Sequence, residues 1–121
     1  MAIRKVLVVD DSTTDLKNLE QIVSAAGYQV ITAVSGKEAV AKAKSDRPDA
    51  VLLDVIMSDM NGFQACRTIT NDPETKAIPV ILVSSKGEKT DKVWGAEQGA
   101  KGYVTKPFTK DQILNELKAL N

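Results

Sequence analysis

The chain has 121 residues, enough for one domain over 1–121, with 43% hydrophobic and 26% charged residues, the balance of a globular fold. Its 16 basic and 16 acidic side chains cancel, so it lacks the basic excess that draws proteins to nucleic acid or anionic membranes. It has no histidine and one cysteine, Cys66, which excludes a Ser-His-Asp triad, His-ligated zinc and an internal disulfide, and suits a reducing, cytoplasmic setting.

In chain order, the N-terminus MAIRKVLVVDD turns acidic too early for a signal peptide, and its first apolar run is Val6–Val9. Leu16, Leu19, Ile22 and Val23 follow at helical spacing, opened by a Ser12/Asp15 capping-box pattern and stopped by Gly27. A second apolar run, Val30–Val34, precedes a helix striped by Ala39, Val40 and Ala43, with Ser35/Glu38 at its start and Pro48 at its stop. Ala50–Leu53 is the third run, and Phe63, Cys66 and Ile69 mark the third helix after the turn residues Asn61-Gly62. Val80–Val83 leads to the weakest helical pattern, about Lys89–Gln98, which Gly95 interrupts. Gly99 and Gly102 stop it before Tyr103–Val104, and Thr109/Gln112 opens a last helix carrying Ile113, Leu114, Leu117 and Leu120.

No apolar run is long enough to cross a membrane, and neither GxxxxGK[ST] nor GxGxxG occurs. Runs rich in Val, Ile and Leu without polar alternation suit parallel strands covered on both faces. Five such strands alternating with five helices predict an α/β doubly wound, five-stranded parallel sheet of strand order 2-1-3-4-5. Ligands of such sheets bind at the carboxyl ends of the strands. There the chain places Asp10-Asp11, Asp54, Ser84-Ser85 and Lys106-Pro107. Each alone has an ordinary reading as a helix cap or turn; their joint placement on one sheet edge is what points to chemistry.

Strands one and three are neighbours in that order, so Asp10, Asp11 and Asp54 converge. Clustered carboxylates repel unless a cation offsets them, and Mg²⁺ with its oxygen ligands suits the set. Asp54 then reads as a nucleophile able to form an acyl phosphate, with Mg²⁺ and Lys106 neutralising the phosphoryl oxygens and the Ser84 hydroxyl donating a hydrogen bond.

The segments VLVVDDS, VLLDVIMSDMNGF, PVILVSS and GYVTKPF together resemble the receiver domains of two-component response regulators, the CheY-like (flavodoxin-like) family, along the whole chain. The resemblance implies that Asp54 is the phosphoacceptor and that Asp10 and Asp11 bind Mg²⁺, Asp11 more directly. It also implies a further ligand in the Ile56 backbone carbonyl, a switch pair in Ser84 and Tyr103, a phosphoryl partner in Lys106 and a cis Lys106-Pro107 bond. Such a domain is no enzyme beyond catalysing its own phosphorylation and dephosphorylation. Two positions depart from the common pattern. Ser58 stands where many relatives have proline, and Ser84 replaces the commoner threonine. Ile56 and Lys86 occupy positions that tune dephosphorylation in the family.

No output domain follows the fifth helix, so the resemblance is to single-domain, monomeric regulators that act on another protein. The implied partners are a CheA-like sensor histidine kinase and an output protein on the face of the fourth helix, fifth strand and fifth helix. SSKGEKTDKVWGAEQGAKGYVTKPF and NGFQACRTIT resemble in particular the PilH-type regulators of type IV pilus systems, which serve twitching motility and phototaxis. A phosphatase of the haloacid dehalogenase type is the competing reading, but it predicts D-x-D where Asp10 and Asp11 are adjacent. A phosphate-independent scaffold is disfavoured because every required group is present. Trp94 reads as a packing residue of the fourth helix or a partner contact, and Cys66 as core.

Overall fold

The structure, a computed structural model, describes residues 2–121. Five strands, β1 (Lys5–Val9), β2 (Gln29–Ala33), β3 (Ala50–Leu53), β4 (Val80–Ser84) and β5 (Gly102–Thr105), alternate with five helices. The helices are α1 (Thr13–Ala25), α2 (Gly36–Asp46), α3 (Gly62–Asn71), α4 (Lys89–Glu97) and α5 (Lys110–Ala119). All strand pairs are parallel and the order is β2-β1-β3-β4-β5, as the sequence pattern predicts. The second strand ends one residue earlier than expected, leaving Val34 out of the sheet and 54% exposed.

Because strand side chains alternate between faces, each strand feeds two cores. Leu7, Val9, Val51, Leu53, Val80 and Leu82 face the side covered by α2 and α3. Val6, Val8, Ala50, Leu52, Ile81 and Val83 face the side of α1 and α5. Every residue of β3 and β4 is buried, which is why these runs carry no polar alternation.

Of the three expected capping boxes, only Thr109/Gln112 closes in both directions. Ser12 accepts the Asp15 N–H and Ser35 the Glu38 N–H, but the acids go elsewhere: Glu38 takes the Val34 N–H and Asp15 leaves the helix end. The weak fourth helix is rescued by packing. A Cβ on Gly95 would lie 2.8 Å from Leu82 Cδ1 and 3.2 Å from Tyr103 Cδ2, so this glycine lets α4 approach the sheet. Its start is held by Asp91 Oδ2, which accepts the Glu88 N–H at 3.1 Å. Gly27 and Gly99 stop their helices at positive φ, where side chains are strained.

Candidate functional site

Register places the acids. Val9 pairs with Leu53, so the next residues, Asp10 and Asp54, emerge side by side from the carboxyl ends of neighbouring strands. The Asp54 N–H still donates to the Val9 carbonyl and the Asp10 N–H to the Ala33 carbonyl, fixing both backbones. Asp10, Asp11 and Asp54 each offer a carboxylate oxygen within 4.8 Å of the others. Asp10 and Asp54 are buried, whereas Asp11 is exposed at the rim.

Lys106 arrives from the end of β5, where its N–H bonds the Ser84 carbonyl and its bond to Pro107 is cis, as the resemblance implies. Its Nζ lies 2.8 Å from Asp10 Oδ2, 3.0 Å from Asp15 Oδ2 and 3.7 Å from Asp54 Oδ2. Burial opposes its charge, but the hydrogen bonds to Asp10 and Asp15, together with the charges of Asp54 and Asp10, outweigh this and its pKa is raised.

Asp54 is pushed up to about 6, first by burial and then by the Asp10 charge, against the pull of Lys106 and of the Val55 and Ile56 N–H groups. One oxygen, Oδ1, accepts the Val55 N–H at 2.8 Å; the other faces Lys106. Behind it Gly62 packs so closely that a Cβ would sit 2.1 Å from the Asp54 carbonyl oxygen, so Asn61-Gly62 is a packing requirement as well as a turn. Ile56, two residues after Asp54, is 55% exposed.

Ser84 is fully buried and Tyr103 half-buried, and both hold Lys86: Ser84 Oγ accepts its N–H at 3.2 Å, and the Tyr103 hydroxyl donates to its carbonyl. Ser85 lies beside the site, lining a cavity with Asp15, Asn18, Lys106, Pro107 and Phe108. Ser58 is exposed, in a loop pinned by its neighbour. Asp59 accepts the Gly36 and Lys37 N–H groups at 3.0 Å each, and those bonds hold its carboxyl down to about 2. Trp94 is 52% exposed and meets Phe63 edge-on, with ring centres 6.5 Å apart. Cys66 is buried, and burial pushes its thiol up to about 12, the mark of an inert core residue.

Sequence reasoning missed Asp15 as a partner of Lys106. The Ser12/Asp15 spacing assigned it to the helix end, and no sequence signal pairs residues 15 and 106. The donor set fits a hard divalent cation: three carboxylates, two of them buried and one of these raised by burial and by its neighbour's charge, and an ammonium that leaves Asp11 unpaired among the described residues.

Residues 6–118 match the family model described as the response regulator receiver domain. The chain is 46% identical to Protein PilH of Pseudomonas aeruginosa over 116 residues, covering 96% of each chain. The crystal structure of Vibrio cholerae chemotaxis protein CheY4 superposes with a TM-score of 0.91 at 33% identity, covering 99% of this chain and 100% of the other. The CheX-CheY-BeF3-Mg complex of Borrelia burgdorferi matches with a TM-score of 0.91 at 32% identity, covering 97% and 88%. The chain belongs to the response regulator receiver domain family, with a CheY-like fold and PilH-like sequence.

Proposed function

We propose that this receiver domain accepts a phosphoryl group on Asp54 from a sensor histidine kinase, in a Mg²⁺-dependent reaction, and presents an altered surface to an output protein. The observation that carries the reading is the convergence of Asp10, Asp11 and Asp54 with Lys106 on one sheet edge. Asp10, Asp11 and Asp54, with the Ile56 carbonyl, would hold Mg²⁺, which when bound neutralises phosphoryl oxygens. In the transfer, the donor's bond to phosphorus breaks as a bond from an Asp54 carboxylate oxygen to phosphorus forms. Oδ2, the oxygen that Val55 does not hold, faces Lys106, whose ammonium is then at hand for the transferred oxygens. The site performs this on itself and turns over no other substrate.

The change is read through Lys86. A phosphoryl group brings about −1.5 to −2 charge and acceptor oxygens, and it draws the Ser84 hydroxyl toward Asp54. Ser84 and Tyr103 share Lys86, so movement of one alters what the other holds and thereby the face of α4, β5 and α5. Resemblance to PilH-type and CheY proteins supports a place in type IV pilus or chemotaxis-like signalling, with a CheA-like kinase as donor. The CheX-CheY complex supports readout by a protein partner.

Incubation with acetyl phosphate and Mg²⁺ should add one phosphoryl mass to the wild type and none to Asp54→Asn. Equal labelling of the mutant would overturn the assignment.

A further inference from the structure

Asp15 occupies the third position of α1, where an acid ordinarily turns back to hold the N–H of the cap residue. Here that N–H is already taken, since Ser12 donates it to Asp10 Oδ1 at 2.9 Å. Asp15 is released to reach across the site, and its Oδ2 meets Lys106 Nζ at 3.0 Å. An ammonium has three protons to give. Asp10 at 2.8 Å and Asp15 take two of them, while Asp54 Oδ2 at 3.7 Å lies outside hydrogen-bond reach. Lys106 is therefore held on the α1 side of the cluster, away from the group it is to serve.

We infer that Asp15 is a positioning residue that competes with the phosphorylated Asp54 for Lys106, and so sets how tightly the domain holds its phosphoryl group. The inference rests on the phosphoacceptor reading of Asp54. To bring its remaining proton onto phosphoryl oxygens, Lys106 has to shift toward Asp54, and the shift strains its bonds to the two carboxylates. Asp10 has a side chain with no exposed surface, so water cannot stand in for the ammonium there and only the Mg²⁺ it would hold can. The Asp15 side chain is 45% exposed, and water replaces the ammonium there. Asp15 lies outside the cation's ligand set, so its pull on Lys106 persists with Mg²⁺ bound and opposes every phosphorylated state. The residue lies on a cavity rim shared with Asn18, Ser85 and Phe108, which leaves its carboxylate open to solvent and to an approaching partner.

The test is the affinity for beryllofluoride with Mg²⁺, a mimic of the phosphoryl group. Asp15→Asn should bind it about two- to five-fold more tightly, the scale of a half-exposed ion pair. Asp15→Glu, which keeps the charge, should stay near wild type. In a Lys106→Met background, Asp15→Asn should give no gain, because the coupling runs through the missing ammonium. Unchanged or weaker binding by Asp15→Asn, or the same gain without Lys106, overturns the inference. Should Lys106→Met bind too weakly to measure, the Lys106 ammonium resonance decides. In ligand-free Asp15→Asn it should already be displaced toward its position in the beryllofluoride-bound wild type, and a resonance that stays put overturns the idea. A wild type that binds no beryllofluoride would instead sink the phosphoacceptor reading itself.

Discussion

β3 runs between two aspartates, Asp49 just before it and Asp54 just after, and they are in opposite electrostatic states. Asp49 accepts the Arg4 and Lys5 N–H groups at 2.9 Å each. Its carboxyl is held below the ordinary range, first by the Lys5 hydrogen bond and then by that of Arg4, against the cost of burial. Asp54 has one oxygen on the Val55 N–H, the charge of Asp10 beside it and, among the described residues, an ion-pair partner no closer than 3.7 Å. Its carboxyl is pushed up to about 6, chiefly by burial. The amino end of the strand uses its acid to hold the backbone together; the carboxyl end leaves its acid, Asp54, short of partners. A group whose needs are met has nothing left to bind with, and so the chemistry collects where the fold leaves charge uncompensated.

That contrast breaks most directly at Asp54. Its folded pKa of about 6 lies above the ordinary carboxylate value, so folding disfavours the ionised form. The cost is absent below pH ~4 and fully present above pH ~6. Asp54→Asn, which keeps the shape and removes the charge, should stabilise the metal-free protein at pH 7 by on the order of 2 kcal/mol. Urea denaturation in chelator should show the gap closing on acidification, and a mutant no more stable than wild type would refute it.

At the other end, Asp49→Ala leaves the Arg4 and Lys5 N–H groups, where the first strand begins, without their acceptor. A loss of about 1–2 kcal/mol is expected, with an unchanged Mg²⁺ titration. Reduced Mg²⁺ affinity in this variant would show that the two strand ends are not separable.

The smallest effect concerns Asp59, which shares the acid-on-backbone logic of Asp49 but sits beside the site. Its folded pKa of about 2 lies below the ordinary value, so its hold on α2 is fully present above pH ~4 and lost as pH falls through about 2. The Gly36 and Lys37 amide shifts should titrate with a midpoint near that lower value. A midpoint close to pH ~4 would mean that the clamp contributes nothing.

Much of the architecture was legible because it rests on local rules. Unbroken apolar runs marked β1, β3 and β4, since a strand buried on both faces has no polar alternation to show. Crossover handedness narrowed the topologies and left 2-1-3-4-5 as the leading order, which brings Asp10, Asp11 and Asp54 together as observed. What could not be read was how individual side chains divide their partners. Gly95 looked like a helix breaker, and only its contact with Leu82 and Tyr103 shows why α4 needs it there. Asp59 drew no reading from the sequence, yet it ties the loop after β3 to the start of α2.

Asp15 shows where the division falls. Its spacing from Ser12 is the local pattern of a capping box, and Ser12 does accept the Asp15 N–H. Whether the acid then closed the box depended on the Ser12 N–H, which Asp10 had already taken, and on an ammonium 91 residues further along the chain. The residue types, their strand-end placement and the fold class are set by periodicity and spacing along the chain. Which carboxylate is satisfied, which is left short of partners and which one restrains Lys106 are decided by competition for a few donors within 3 to 4 Å, and that exists only once the strands are side by side.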